Sequence, residues 1–220
     1  MNLLARWWGG KHGDSAPVAR RWIVLDVETT GLDLVEDQLL AVAAVGLHFG
    51  EQRAAPCIVL HDSFEAVLQR ESVVTDKDNI LLHGIGVGAQ RSGLPPREVL
   101  EAFECWAGDA PLLAFHAAFD QTMIARAMSQ HLSRTLPNRW LDLAPLANAL
   151  HPTLGAESSL DDWLDHFDIH CAVRHQAAAD ALASAELLLR LWPAARANRC
   201  ASFAGLQDLT RQRRWLARHH

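Results

Sequence analysis

The run WIVLDVETTGLD at residues 22–33 constrains this chain more than any other stretch. Ile23, Val24 and Leu25 form an unbroken β-branched and apolar series, the pattern of a strand covered on both faces. Asp26 and Glu28 follow at once, with Val27 between them. Side chains alternate along a strand, so positions two apart project from the same face. An apolar strand therefore ends in two carboxylates that point the same way. Such a pair repels itself, and partial burial raises the cost further. The fold has to supply a compensating charge at this strand's end.

The rest of the chain reads as α/β. The first strand runs to about Glu28, and QLLAVAAVGLHFG and QRAAPCIVL form two more strands with GEQ as the turn between them. The first three strands then make a meander. PPREVLEAFECWAG is a helix opened by prolines and closed by Gly108. PLLAF is a short buried strand, followed by a helix from about Ala117 to His131; NRWLDL is the fifth strand. Further helices are expected over Ser159–Phe167, Ala177–Leu191 and Leu206–Arg218. A meander followed by strand and helix in alternation predicts a mixed five-stranded sheet flanked by helices. Residues 1–20 read as a loose lead-in, 21–192 as the main domain and 193–220 as a basic helical tail.

Half of the 220 residues are apolar, enough for a single large core. No run is long enough to cross a bilayer, and MNLLARWW lacks the apolar core of a signal peptide. Cys57, Cys105, Cys171 and Cys200 show no CxxC spacing, which argues against a disulfide framework and a cysteine-based zinc site and for a reducing cytoplasm. The formal charge is −6, unevenly spread: from Arg190 onward seven arginines face one acid, Asp208, so the tail carries +6 and the remainder −12. An acidic body suits a nucleic-acid partner only if metal ions offset part of its charge.

Two more acids stand out downstream. Asp120 follows a short apolar strand in LLAFHAAFDQTMI, and Asp180 lies on a largely apolar helix in RHQAAADALASAELLLRL. An acid on such a surface is seldom left without a partner. His175 precedes Asp180 by five residues, on the loop entering that helix. Hard divalent cations prefer carboxylate oxygens, and a pair of them can stabilise both the attacking and the leaving oxygen of a phosphoryl displacement. Four acids from three elements, with a titratable histidine beside them, match that demand.

Over about residues 21–192 the chain resembles the DnaQ-like 3′–5′ exonucleases of the DEDDh group, which have a ribonuclease-H-like fold. The first motif of the family resembles DVETTGLD, the second FHAAFD and the third HQAAAD followed by Ala181; LLHGI at 81–85 and SSLDDWLDHFDI are similar to further signatures. The resemblance implies Asp26, Glu28, Asp120 and Asp180 as ligands of two divalent ions, Mg²⁺ with Mn²⁺ able to substitute. It implies His175 as general base and Thr29, Thr30 and Leu32 as contacts to the 3′-terminal nucleotide, with His83 either contacting substrate or bracing the site. A sister group uses tyrosine in place of that histidine, but this chain contains none. The implied activity is hydrolysis of nucleic acid from a free 3′ end to nucleoside 5′-monophosphates, with single-stranded DNA slightly favoured. Alternatives within the family are a polymerase-associated proofreading subunit and an RNA-trimming enzyme, and relatives of the latter often pair as homodimers.

One motif departs from the family. Phe115 and His116 stand where His-Asn is usual, and His116 is assigned the missing substrate contact, with simple packing as the alternative. His166, His170, Cys171 and His175 fall within ten positions, but packing and exposure explain the first three better than zinc does. Asp161 and Asp162 follow Ser159 as a capping box, and Asp142 is read as structural, with support of the metal ligands from behind as the alternative. Leu206, Leu209 and Leu216 at near-helical spacing predict that the tail docks on the domain as an amphipathic helix, with a nucleic-acid or partner-protein contact as the alternative.

Overall fold

The computed structural model describes residues 20–50, 55–70, 77–155 and 157–217, with side chains as far as residue 212. Most of the expected lead-in and of the GEQ turn, and the side chains of Arg213, Arg214, Leu216 and Arg218, lie outside the described residues.

The elements run β1 (Arg21–Thr29), β2 (Leu39–His48), β3 (Cys57–Val67), α1 (Lys77–His83), α2 (Val87–Ser92), α3 (Pro96–Ala107), β4 (Leu112–Ala114), α4 (Ala118–Leu132), β5 (Trp140–Asp142), α5 (Leu143–Leu150), α6 (Leu160–His166), α7 (Ala177–Ala197) and α8 (Phe203–Ala217). The sheet order is β3-β2-β1-β4-β5. β1, β2 and β3 pair antiparallel as the expected meander, whereas β4 lies parallel to β1 and β5 parallel to β4. β1 is thus the central strand, as its apolar run demands.

Alternation along β1 divides the core between two layers. Ile23, Leu25 and Val27 pack on one face with Val99, Leu100 and Phe103 of α3 and Met123, Ile124 and Met128 of α4. Trp22 and Val24 pack on the other with Leu143 and Leu146 of α5, Leu188 and Trp192 of α7, and Phe203 and Leu206 of α8. Trp22 meets Trp192 and Phe203 edge-on at ring separations of 5.8 and 5.4 Å. By the same alternation Asp26 and Glu28 share the face that looks toward α7.

Two expectations need correction. The third strand was expected over 52–60 and is found at 57–67. It is the sheet's edge, so its DSFE segment alternates polar and half-buried residues and lacks an apolar signature. Its register breaks opposite Val45 and Gly46, where Leu60–Asp62 bulge out of the ladder. Asp62 folds back over Gly46, whose Cβ would stand 2.0 Å from Asp62 Oδ2. There the carboxylate accepts from Arg21 Nε and Nη2 at 2.7 and 2.8 Å and faces His48 Nε2 at 2.7 Å. The Arg21 hydrogen bond, helped by His48, holds its pKa down at about 2.

Secondly, α7 does not stop at Leu191 but continues through Pro193 to Ala197. Leu187, Leu188, Leu191, Trp192 and Ala195 keep one face buried past the proline. Phe203 and Leu206 then seat α8 on the same core as β1, the docking expected from its leucine spacing. α1, α2 and α5 were not expected; at six to eight residues each they are too short to display a helical period.

Candidate active site

Three elements deliver the acids to one cleft. Asp26 and Glu28 come from the end of β1, Asp120 from the first turn of α4 just after β4, and Asp180 from the first turn of α7. β4 lies beside β1, so the α4 N-terminus opens next to Asp26; α7 packs across β1 and β2. The cleft has a volume of about 700 Å³ and is lined by all four acids together with His175. A second cleft of about 550 Å³, floored by Met123 and Ala127, contains none of them.

Both acid-bearing helices are entered through a histidine in the left-handed region, His116 at φ 60° before α4 and His175 at φ 61° before α7. That backbone is costly for a residue with a Cβ and persists only where its surroundings hold it. At His116 the holding group is Asp142: its Oδ1 accepts the His116 N–H at 3.0 Å and the Ala144 N–H at 3.2 Å, capping α5. At His175 the holding group is Asp180, whose Oδ2 accepts the His175 N–H at 2.9 Å. Both histidine side chains are exposed in the cleft.

The electrostatics match a site built for cations. Burial, followed by the fields of Asp120, Glu28 and Asp180, pushes Asp26 well above the carboxylate range. Glu28 rises to about 8 by burial and the Asp180 charge, against the Ala177 N–H at the start of α7, which favours its ionised form. Asp120 rises to about 8, mainly by burial. Glu28 Oε1 is buried without a hydrogen-bond partner. A buried carboxylate oxygen left unpaired is costly, and here the charges of Asp180 and Asp120 add to that cost.

The expected substrate contacts divide. Thr29, Leu32 and His116 line the cleft, with Leu32 85% exposed at its rim. Thr30 and His83 do not line it. Thr30 Oγ1 donates to Asp37 Oδ1 at 2.6 Å, tying the turn after β1. His83 is buried, its Nδ1 accepts the Ile85 N–H at 2.9 Å, and burial lowers its pKa. Phe115, at the other departure from the family pattern, lines the cleft with its ring 4.7 Å from that of His116.

Sequence reasoning missed Arg174 and Asn79, and the contact of Cys171 with Asp180. Asn79 Nδ2 donates to the Thr29 carbonyl at 3.3 Å. Arg174 bonds Asp180 Oδ1 through Nη1 and Asp161 Oδ1 through Nε, and the Cys171 thiol lies 3.6 Å from Asp180 Oδ1. The available signal for Arg174 was its place beside His175 as a lone cation among acids. His166 instead packs against Phe167 at 4.7 Å, and Asp162 completes the expected capping box with Ser159.

Among the described residues, no three His, Cys, Asp or Glu side chains stand in a closed chelating arrangement. The donor set nonetheless fits a hard divalent cation: four carboxylates on one cleft, three with raised pKa values, and an orphaned oxygen on Glu28.

Known proteins resemble this chain in sequence and in fold. The family model RNase_T, described as "Exonuclease", matches residues 23–188. The DNA polymerase III PolC-type of Halalkalibacterium halodurans is 31% identical over 170 residues, which cover 77% of this chain and 11% of that protein. The chain thus spans about a tenth of the length of the curated relatives it matches. Among solved structures, cell-death related nuclease 4 superposes with a TM-score of 0.63 at 16% identity, covering 78% of this chain and 63% of its own. The zinc-ion-bound E. coli exonuclease I complex with single-stranded DNA superposes with a TM-score of 0.60 at 17% identity, covering 79% and 41%.

Proposed function

Because the chain belongs to the exonuclease family, within the DnaQ-like superfamily, we propose that it hydrolyses single-stranded nucleic acid from the 3′ end, DNA in preference to RNA. The products are nucleoside 5′-monophosphates. The observation that carries this reading is the buried, unpartnered Glu28 Oε1 in a cleft shared with Asp26, Asp120 and Asp180.

In this reading Asp26, Glu28, Asp120 and Asp180 hold two divalent cations, Mg²⁺ or Mn²⁺. When bound, such cations would supply positive charge that acidifies water and stabilises a departing 3′ oxygen. His175, exposed in the cleft, takes the proton of the attacking water as general base. Its left-handed backbone, held by Asp180, sets its position relative to the acids. Thr29, Leu32 and His116 meet the terminal nucleotide from the cleft walls, while Thr30 and His83 shape the adjoining turns. Among the described residues no helix is long and apolar enough to cross a membrane, and all four cysteines are free, as suits a reducing cytoplasm.

The test is a time course on 5′-labelled DNA and RNA oligonucleotides, single- and double-stranded, in Mg²⁺ and in Mn²⁺. Stepwise shortening from the 3′ end with release of 5′-monophosphates is expected, faster on single-stranded DNA. Internal cleavage, or loss of nucleotides from the 5′ end first, would overturn the proposal.

A second reading, a proofreading subunit acting beside a polymerase, is favoured by the identity with PolC-type polymerases. Co-purification with a replicative polymerase tests it, and recovery as a free monomer or homodimer counts against it.

A further inference from the structure

Both oxygens of Asp180 are taken by protein groups. Oδ2 accepts the His175 N–H, while Oδ1 is bonded by Arg174 Nη1 and approached by the Cys171 thiol. The same guanidinium is anchored on the far side by Asp161 of α6. Asp161 is 58% exposed at its side chain and Asp180 only 7%, so Arg174 bridges a solvent carboxylate and a buried one. Its positive field also reaches Asp26 and Glu28, where it favours the ionised forms.

We infer that Arg174 is a resident counter-cation of the cleft, which holds Asp180 until a divalent ion displaces it and then swings onto its Asp161 anchor. The inference rests on the proposed cation site and adds a competitor to it. The chemistry follows from the donors. A guanidinium is permanently charged and presents several N–H donors on one rigid plane, so it can release one carboxylate while keeping another. A divalent ion taking Asp180 Oδ1 must remove Nη1 from that oxygen, whereas the Nε bond to Asp161 is compatible with either state. Arg174 lines the cleft, so the freed Nη1 end remains inside it and faces whatever phosphodiester is bound. The arrangement compensates crowded acids when no ion is bound, at the cost of weaker ion binding.

The experiment is Mn²⁺ binding without substrate, by titration calorimetry and by the shift in melting temperature, on the full chain and on Arg174→Gln, Arg174→Lys and Asp26→Asn. Arg174→Gln is expected to bind Mn²⁺ more tightly by on the order of tenfold. It should also melt lower without metal and gain more from metal than the parent does. Arg174→Lys, which keeps the charge but loses the fork, should fall between the two; it also serves if the glutamine variant does not fold. Equal or weaker Mn²⁺ binding by Arg174→Gln, with the parent binding Mn²⁺ and Asp26→Asn not, would overturn the inference and leave the cation site standing. Absence of Mn²⁺ binding by both the parent and Arg174→Gln would sink the cation site, and the counter-cation with it.

Discussion

The backbone N–H of His175 donates to Asp180 Oδ2 at 2.9 Å, closing the turn that enters α7. One contact thus ties the proposed base to a proposed ligand, and the two have separable signatures. His175→Ala is expected to lower the nuclease rate by about 10²–10⁴-fold while Mn²⁺ binding persists. Asp180→Ala is expected to remove both the activity and most of the Mn²⁺ affinity. Strand degradation and calorimetry on the two variants check this; a His175 variant at the parental rate would remove that residue from the mechanism.

The raised carboxylates make the metal-free protein pH-sensitive in a defined direction. Glu28 and Asp120 titrate at about 8, and Asp26 also lies well above its ordinary value. Groups whose folded pKa exceeds the unfolded one stabilise the fold below the unfolded value and lose that contribution as pH rises through the folded value. The melting temperature without metal should therefore fall between about pH 5 and pH 9, and Mn²⁺ should restore more of it at pH 8 than at pH 6. A metal-free melting temperature that rises steadily to pH 9 would contradict the burial of these acids.

Asp62 acts in the opposite window. Its pKa is depressed to about 2, so its contribution is present above the ordinary aspartate value and fades as pH falls from about 4 toward 2. Gly46 makes room for it. Gly46→Ala places a Cβ 2.0 Å from Asp62 Oδ2, which should dislodge the Arg21 and His48 contacts and cost about 1–3 kcal/mol. Urea unfolding measures the loss, and the nuclease rate should be unchanged because the bulge lies away from the cleft.

Asp142 should prove more than a helix cap. Asp142→Ala removes the acceptor for both the Ala144 and the His116 N–H groups, and a lost cap alone costs about 1 kcal/mol. A raised KM for short oligonucleotides is expected in addition, because His116 loses its hold. Asp142→Asn keeps a carbonyl acceptor and should recover most of both effects. A lowered stability with KM unchanged would confine Asp142 to capping.

Ending the chain after Ala197 should do more than remove positive charge. Phe203 and Leu206 are buried against Trp22, so their loss opens the core and should lower the melting temperature by more than about 10 °C. A phosphate contact by the tail is better tested with Arg211→Gln, since Arg211 is exposed at 72% of its side chain. A shallower salt dependence of binding would mark such a contact.

What the amino-acid sequence determines by itself is the set of local decisions. The apolar run before Asp26 demands a covered central strand, and period-two alternation puts Asp26 and Glu28 on one face. Motifs of that kind need only neighbours along the chain, which is why the meander of the first three strands and the four acids were legible. The edge strand β3 was displaced in the reading because edge residues have no buried face to advertise. Only the tertiary structure decided which expected contacts reach the cleft: Leu32 and His116 do, whereas Thr30 is turned to Asp37 and His83 is packed inside. It also decided the place of Arg174, which reaches Asp180 and Asp161 only once α6 and α7 lie side by side. A side chain's rank as wall, brace or counter-ion depends on what other elements bring within a hydrogen bond's length, and no periodicity along one segment records that.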